Sequence, residues 1–600
     1  MKKIPFYDLK VNGGLWAEKQ ELVKNVTAKA VYDRFYDTGR ISTMDCEKHP
    51  EFENELHVFW GSDVFKWMEG AAYLYELNHD EKLRALVEQI IDSVEKGMCE
   101  DGYYNSYFCV KDEKRFSNRG QHELYSLGHM IEAAVAWSHA TGDKRFMKLC
   151  RRNVDLVDRI FRIENSADFM TPGHQEIELA LVRLYNATGE ERYLKLAEFF
   201  VDKRGNNDKD SAADYGPLVD QSDIPARKLR NVTGHAVRAV YYYCAIADLA
   251  GIEKDDELLE SAKALFDDIY NRKMYITGGI GAVINSETFS AAYHLPNREA
   301  YAETCAALGL ALFASRMYSM IPDGRYGDAA ERALYNGMLS GLSISGDRFF
   351  YENPLEINTS LAAVPNLHQV PLERVKVFFC SCCPPNLVRM IPSVAGLAYT
   401  VDNDTLFVHQ YIPTSGKSGD ITVNTETDYP LGGRVSVKAD GVKRIALRKP
   451  AWCDSYSAAQ PCNEENGYLY FESNTVNAEF DIRPKYIAAS PAVKECADSV
   501  ALMYGPIVYA LEEQDQPVTI DIIRICPEVK PAVTKEFFGG LPILEGEGIA
   551  LPQSDKLYSE YKAPCKYERI KLRFIPYYTF ANRGEDNMRV WNPIAVGRDK

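Results

Sequence analysis

From about residue 60 to residue 395, apolar positions recur every three to four residues. The window Asp63-Val64-Phe65-Lys66-Trp67-Met68-Glu69-Gly70-Ala71-Ala72-Tyr73-Leu74 is one example, and its period is that of a helix. A loose repeat punctuates the region. The turns Leu77-Asn78-His79-Asp80, Ala140-Thr141-Gly142-Asp143, Ala187-Thr188-Gly189-Glu190 and Leu249-Ala250-Gly251-Ile252-Glu253 start 63, 47 and 62 residues apart. Each carries an acid where the next helix would begin, which suits the positive end of a helix dipole. Repeated helical hairpins build an open solenoid or a closed ring. Irregular spacing with long inserted loops favours the ring, because loops gathered at one end can build a site. We therefore expect an (α/α)6 barrel, with the open solenoid as the alternative.

After about residue 397 the period changes. Thr405-Leu406-Phe407-Val408-His409-Gln410-Tyr411-Ile412, Asp420-Ile421-Thr422-Val423, Arg434-Val435-Ser436-Val437 and Tyr468-Leu469-Tyr470-Phe471 alternate, or run β-branched and aromatic, between Gly, Asn and Asp turns. That texture predicts strands packed as one or two β-sandwiches. The expected units are a helical barrel over 1–396, a sandwich over 397–500, and a second sandwich, or the completion of the first, over 501–600.

Composition narrows the function. The 600 residues hold 69 basic and 86 acidic side chains, a net charge of −17, so a nucleic-acid partner is not expected. With 46% apolar and 26% charged residues the chain is not a disordered or low-complexity one. The apolar run Cys305 to Ala314 is about half the roughly 18 residues of a membrane helix. The start, Met1-Lys2-Lys3-Ile4-Pro5-Phe6, lacks an export signal's apolar stretch. We expect a cytoplasmic protein without membrane contact. Its trailing β-region would suit a homodimer. Fourteen cysteines in 600 residues are too few for a disulfide scaffold, so a cluster of them points to metal or catalysis.

That cluster is Phe378-Phe379-Cys380-Ser381-Cys382-Cys383-Pro384-Pro385-Asn386. Two prolines after adjacent cysteines predict a rigid, non-helical turn that aims two thiols at one point. A tetrahedral metal needs further ligands, and Glu303-Thr304-Cys305 is the nearest polar set. On a continuous helix Glu303 and Cys305 would point about 200° apart. They can share an ion only if they sit in a loop or at a helix N-terminus, with the helix starting near Ala306. Glu303, Cys305, Cys382 and Cys383 would then form a zinc site. The alternatives are buried, inert thiols and a purely structural zinc turn. Gly128-His129, Gly173-His174 and Gly234-His235 repeat one dipeptide in three successive hairpins. At equivalent helix starts they would converge on the cavity and bind sugar hydroxyls; singly, each reads as a core histidine. Glu287, in Asn285-Ser286-Glu287-Thr288-Phe289, reads as an ordinary solvated loop acid. Dinucleotide, phosphate-loop, HExxH and GxSxG patterns are missing or incomplete.

Taken together, the motifs resemble glycoside hydrolase family 127, the β-L-arabinofuranosidase family. The matching segments run from Phe59-Trp60-Gly61-Ser62-Asp63-Val64-Phe65-Lys66-Trp67 and His122-Glu123-Leu124-Tyr125, through Gly173-His174-Gln175-Glu176, Thr277-Gly278-Gly279-Ile280-Gly281 and Ala300-Tyr301-Ala302-Glu303-Thr304-Cys305, to Cys382-Cys383-Pro384-Pro385-Asn386 and Met503-Tyr504-Gly505-Pro506. The resemblance implies zinc on Glu303, Cys305, Cys382 and Cys383, with Cys382 as nucleophile and Glu287 as acid/base. It implies furanose contacts from His129, His174, His235, Tyr351 and Glu331. The expected activity is a retaining exo-glycosidase. Zinc would supply the thiolate, and two displacements at one carbon would retain configuration. Two alternatives stand beside it. One is a same-fold glycosidase for another pectin-derived L-sugar. The other is a non-catalytic carbohydrate-binding protein with a zinc-stapled turn, which would have no need of an acid at Glu287.

Overall fold

The computed structural model describes the chain except for residues 53–55, 208, 213–215, 363, 365–371, 377–379, 529, 539–540, 554–555, 559, 561–566 and 596–600. Cys565, Phe378 and Phe379 therefore lie outside the described residues.

Twelve helices make two concentric layers among the described residues. They are α1 (Ala28–Asp37), α2 (Trp60–Asn78), α3 (Glu81–Gly97), α4 (Glu123–Thr141), α5 (Arg145–Asp158), α6 (Ile177–Thr188), α7 (Glu191–Lys203), α8 (Ala236–Glu253), α9 (Asp256–Asp268), α10 (Thr304–Met320), α11 (Gly324–Arg332) and α12 (Cys383–Ser393). The even-numbered helices pack each on the next, and α12 returns to α2, closing the ring; the odd-numbered helices back them. Sequence dictates the layering. Inner α2, α4 and α8 are buried almost throughout, whereas outer α3 buries only Val87, Ile90, Ile91 and Val94, one stripe at helical spacing.

Three of the four expected turns fall where the sequence puts them. His79 and Gly142 are left-handed and end α2 and α4, Gly189 ends α6, and the Asp80 side chain caps α3. The fourth is displaced. Gly251 sits inside α8, which runs on to a left-handed Lys254 before Asp255 caps α9. Among the described residues no helix is long and apolar enough to cross a membrane.

The strand-rich region begins at Tyr399–Asp402 and forms three sheets. Two six-stranded sheets face one another. Alternate residues such as Val423, Thr425, Val435, Val437, Val476 and Phe480 point inward between them. The helical unit does not keep its first residues to itself. Lys2–Lys3 pairs with Tyr399–Asp402, and Leu9–Val11 pairs with Thr414–Ser418, one strand for each sheet. The sheet changes between Phe480 and Pro484, ahead of the expected 500: Pro484–Ala488 pairs with Ser499–Tyr504 in the last sheet.

The last sheet matters to the barrel because it holds a loop there. Met588–Arg589 pairs with Glu356–Ile357, and the Tyr577 hydroxyl donates to the Asn353 carbonyl at 2.9 Å. The Asn353 amide reaches Ala302 O at 2.9 Å and Thr304 Oγ1 at 3.0 Å.

Candidate active site

The inner helices present their N-termini to one end of the ring, and the chemistry-bearing side chains collect there. Glu303 is the N-cap of α10, with extended ψ of 141°, and the helix starts at Thr304, two residues before the expected position. The bend ahead of it is sharp. Ala302 is left-handed (φ 38°) and is held by Gly281 O and the Asn353 amide. Glu303 thus stands outside the helix while Cys305 lies in its first turn, so the 200° conflict does not arise. Cys382 is the N-cap of α12 and Cys383 its first residue. The expected non-helical turn is instead a helix start. Pro384 and Pro385 occupy the first turn, where the missing N–H groups have no helical partner to lose.

These two helix ends bring four groups together. The Cys305–Cys382, Cys382–Cys383 and Cys305–Cys383 sulfur separations are 3.7, 3.7 and 3.2 Å. Glu303 Oε1 is 3.3 Å from Cys382 Sγ and 3.4 Å from Cys383 Sγ. Around a tetrahedral ion with Zn–S near 2.3 Å and Zn–O near 2.0 Å, sulfurs would stand about 3.8 Å apart and oxygen about 3.5 Å from sulfur. The donor set fits in kind, number and spacing. Two helix N-termini add positive potential.

Hydrogen bonds from the Cys305, Cys380 and Cys383 thiols, against the opposing effect of burial, pull Cys382 well below the usual thiol range, and the Lys66 charge helps. Burial pushes Glu303 and Cys383 up. Behind the corner, the Asn386 amide donates to Cys305 Sγ at 2.9 Å. Arg389 donates to Asn386 Oδ1 at 2.6 Å and bridges to Glu69 at 2.9 Å, which fixes the amide's orientation.

Glu287 approaches from another segment. It is left-handed (φ 58°), and its carbonyl accepts from Ala236 N at 2.9 Å while Phe289 N bonds Gly234 O at 2.8 Å. This clamp seats its carboxylate 2.5 Å from His235 Nε2 and 3.5 Å from the Tyr351 hydroxyl. His235 Nδ1 accepts from the N–H groups of Val237 and Arg238, so in the neutral ring the proton sits on Nε2 and is donated to Glu287 Oε2. Oε1 faces the Tyr351 hydroxyl. Burial lowers His235 and drives His122, His129 and His174 well below the usual imidazole range, so the wall is neutral.

The three Gly-His pairs reach the site by different routes, not as equivalent helix starts. His129 lies inside α4, His174 in the loop before α6, and His235 at the N-cap of α8. Their rings still line up. His235 is 5.5 Å from His174, which is 4.1 Å from Tyr125, which is 4.6 Å from His129. His174 Nδ1 donates to Gln175 O at 3.0 Å, leaving Nε2 as an acceptor for a hydroxyl. Tyr351 closes the wall: its carbonyl caps Thr304 N at 2.9 Å.

Glu331 is not part of this site. It is buried where α11 meets the first sandwich, against Arg448, the Tyr429 hydroxyl and, at 3.1 Å, Trp452 Nε1. Its carboxylate is consumed in joining two units.

Sequence reading assigned no role to Lys66, His122, Tyr125, Tyr301, Asn386 or Arg389. Lys66, fully buried, donates to the Tyr125 hydroxyl at 2.5 Å; Cys382 holds its pKa high against the burial that disfavours its charge. His122 lies 5.6 Å from His174, and the Tyr301 hydroxyl donates to Glu303. All of these but Arg389 stand in segments that carried the family resemblance; a tyrosine or lysine inside an apolar helical stripe has no other local signal. A cavity of about 880 Å³ lies at the other end of the ring, lined by Lys3, Glu132, Arg183, Asp248 and Arg316 among others. It holds none of the ligand set.

Comparison with known proteins gives a consistent answer. Residues 8–396 match the profile of the β-L-arabinofuranosidase GH127 catalytic domain, and residues 484–593 that of the glycoside hydrolase family 127 C-terminal domain. The chain is 33% identical over 593 residues to the non-reducing end β-L-arabinofuranosidase of Bifidobacterium longum subsp. longum, covering 90% of each chain. Its fold superposes with a TM-score of 0.90 on Ara127N-Se, a GH127 β-L-arabinofuranosidase from Geobacillus stearothermophilus T6, at 33% identity over 98% of this chain and 100% of that one. The GH127 β-arabinofuranosidase BT3674 gives 0.88, at 32% identity over 99% and 98%.

Proposed function

Because the chain belongs to glycoside hydrolase family 127, we propose that this enzyme is a retaining exo-glycosidase that removes non-reducing terminal β-L-arabinofuranosyl residues, with Cys382 as nucleophile and Glu287 as acid/base. The observation that carries the reading is one arrangement. Cys382, at the N-cap of α12 among Glu303, Cys305 and Cys383, stands at the same end of the ring as the Glu287 carboxylate, which His235 and Tyr351 hold.

The residues that would hold zinc are Glu303, Cys305, Cys382 and Cys383. Bound there, the ion would supply the positive charge that keeps the buried thiols deprotonated at neutral pH. Cys382 sulfur attacks the anomeric carbon, and Glu287 gives its Oε1 proton to the leaving glycosidic oxygen. A thioglycosyl intermediate on Cys382 results. Glu287, now ionised, takes a proton from water, which displaces the sulfur. Two inversions retain configuration. Throughout, His235 Nε2–H steadies the Glu287 carboxylate. The His174 and His129 rings and the Tyr351 hydroxyl bind furanose hydroxyls. Short oligosaccharides or glycosides are the proposed substrates.

The test is hydrolysis of p-nitrophenyl β-L-arabinofuranoside by the wild type, Cys382→Ser and Glu287→Gln. We expect release by the wild type, loss below detection for Cys382→Ser, and a drop of about 10²–10⁴-fold for Glu287→Gln. Full activity in Cys382→Ser would refute the nucleophile. An inactive wild type that still carries zinc would move the substrate to another L-sugar.

A further inference from the structure

Three further cysteines meet far from the candidate zinc corner in sequence and on different elements. Cys46 ends the short helix Ser42–Asp45 in a left-handed conformation (φ 60°). Cys99 opens the turn after α3, its N–H bonded to Tyr103 O at 2.9 Å and its carbonyl to Gly102 N at 3.0 Å. Cys109 lies in the helix Ser106–Lys111. The helix Ser106–Lys111 packs on the helix Ser42–Asp45, which brings the Cys46 and Cys99 thiols to hydrogen-bond Cys109. All three are free and only half-buried.

The surroundings are built for this contact. Arg115 places Nη2 3.1 Å from Cys99 Sγ, while its guanidinium stacks 3.9 Å over Tyr103 and pairs with Asp101 at 2.9 Å. Gly97 has no room for a side chain, since a Cβ there would lie 2.8 Å from Cys46 Sγ. The Tyr104 hydroxyl ties the two loops by donating to Met44 O at 2.7 Å. Two thiol donors, helped by Arg115, lower the Cys109 pKa to about 6 against the effect of burial. The glycosidase chemistry uses none of these residues.

We propose that Cys46, Cys99 and Cys109 form a thiol–disulfide exchange site, in which Cys109 reacts with a low-molecular-weight disulfide and Cys46 resolves the adduct. The Cys109 thiolate attacks one sulfur of RSSR; that S–S bond breaks, and RS⁻ departs and takes a proton from solvent. Cys46 sulfur then attacks the Cys109 sulfur, displacing the second RS⁻, which leaves with the Cys46 proton as RSH. Two protein thiols are oxidised to one disulfide, and one RSSR is reduced to two RSH. Cys99 remains a thiol, held by Arg115. The new bond would tie the segment after α1 to the helix whose following loop leads into His122 and Glu123 at the rim of the sugar site.

The experiment equilibrates the whole protein with mixtures of oxidised and reduced glutathione. It then quenches in acid, alkylates the free thiols and maps the peptides by mass spectrometry. The readout is independent of glycosidase activity, so its failure is distinct from failure of the reaction proposed above. The expected result is a linked pair of peptides carrying Cys46 and Cys109, reversed by reductant. In Cys46→Ser, which should keep wild-type activity under reducing conditions, Cys109 should instead accumulate as the glutathione adduct, at least about tenfold above wild type. Three results would overturn the proposal: Cys109 unmodified across the series, a glutathione adduct that persists in the wild type, or a linked pair that joins Cys99 rather than Cys46.

Discussion

Two buried acidic clusters in this molecule look alike in sequence and differ in what surrounds them. At the junction of α11 and the first sandwich, Asp328 and Glu331 are closed off by Arg448, whose side chain is wholly buried between them. Tyr429 donates to the same Glu331 oxygen as Arg448, and Trp452 donates to the other. Charge and hydrogen bonds are answered within the protein, so the cluster is complete and acts as a fastener between units. At the other end of the ring, Glu303 and three thiols stand within 4.8 Å of one another, with a neutral phenol and an amide as donors. The buried Lys66 ammonium offsets part of the Cys382 charge, but one cation does not answer four acidic donors, and that cluster asks for a further cation from outside. A buried acid is thus a candidate for chemistry when its counter-charge is missing, not merely because it is buried.

The sharpest break of this comparison is a pair of substitutions. Cys383→Ala should empty the zinc corner and abolish turnover. Arg448→Met should leave zinc content and turnover per folded chain unchanged but cost about 3–5 kcal/mol by stranding two buried carboxylates. Elemental analysis beside thermal unfolding separates the two, and a loss of zinc in Arg448→Met would erase the distinction.

A smaller effect should come from Asn386→Leu. Removing the amide that donates to Cys305 should weaken zinc binding by about 10–100-fold, measured by chelator competition. Unchanged affinity would reduce Asn386 to packing.

The smallest effect concerns Glu123, whose pKa burial raises from 4.5 to about 7, opposed by donation from Tyr103 and Phe116 N–H. A folded value above the unfolded one means the contribution to stability is full below about 4.5 and is lost as pH rises through about 7. Glu123→Gln should therefore be more stable than wild type at pH 8 by about 1–3 kcal/mol, with the gap closing near pH 4. A pH-independent difference would contradict this assignment.

The helical ring was legible because inner and outer helices differ in how much of their circumference is apolar, a property that α2 and α3 carry in their own residues. The ligand set was legible because cysteine is scarce and Cys382 and Cys383 are adjacent. The fourth turn was misread because Gly251, a usual stop, is tolerated inside α8, and the actual stop is a left-handed lysine. The proline pair was read as non-helical because proline breaks helices everywhere except in their first turn. Glu331 carried no sign in the sequence that Arg448, 117 residues further on, would neutralise it. Nor could spacing show that three Gly-His pairs reach one wall from a helix interior, a loop and an N-cap.

The most direct test of the cation requirement is zinc X-ray absorption on the protein as purified. The account predicts about one zinc per chain, with three sulfur neighbours near 2.3 Å and one oxygen near 2.0 Å. A metal-free protein with full activity, or zinc bound by nitrogen and oxygen alone, would contradict it.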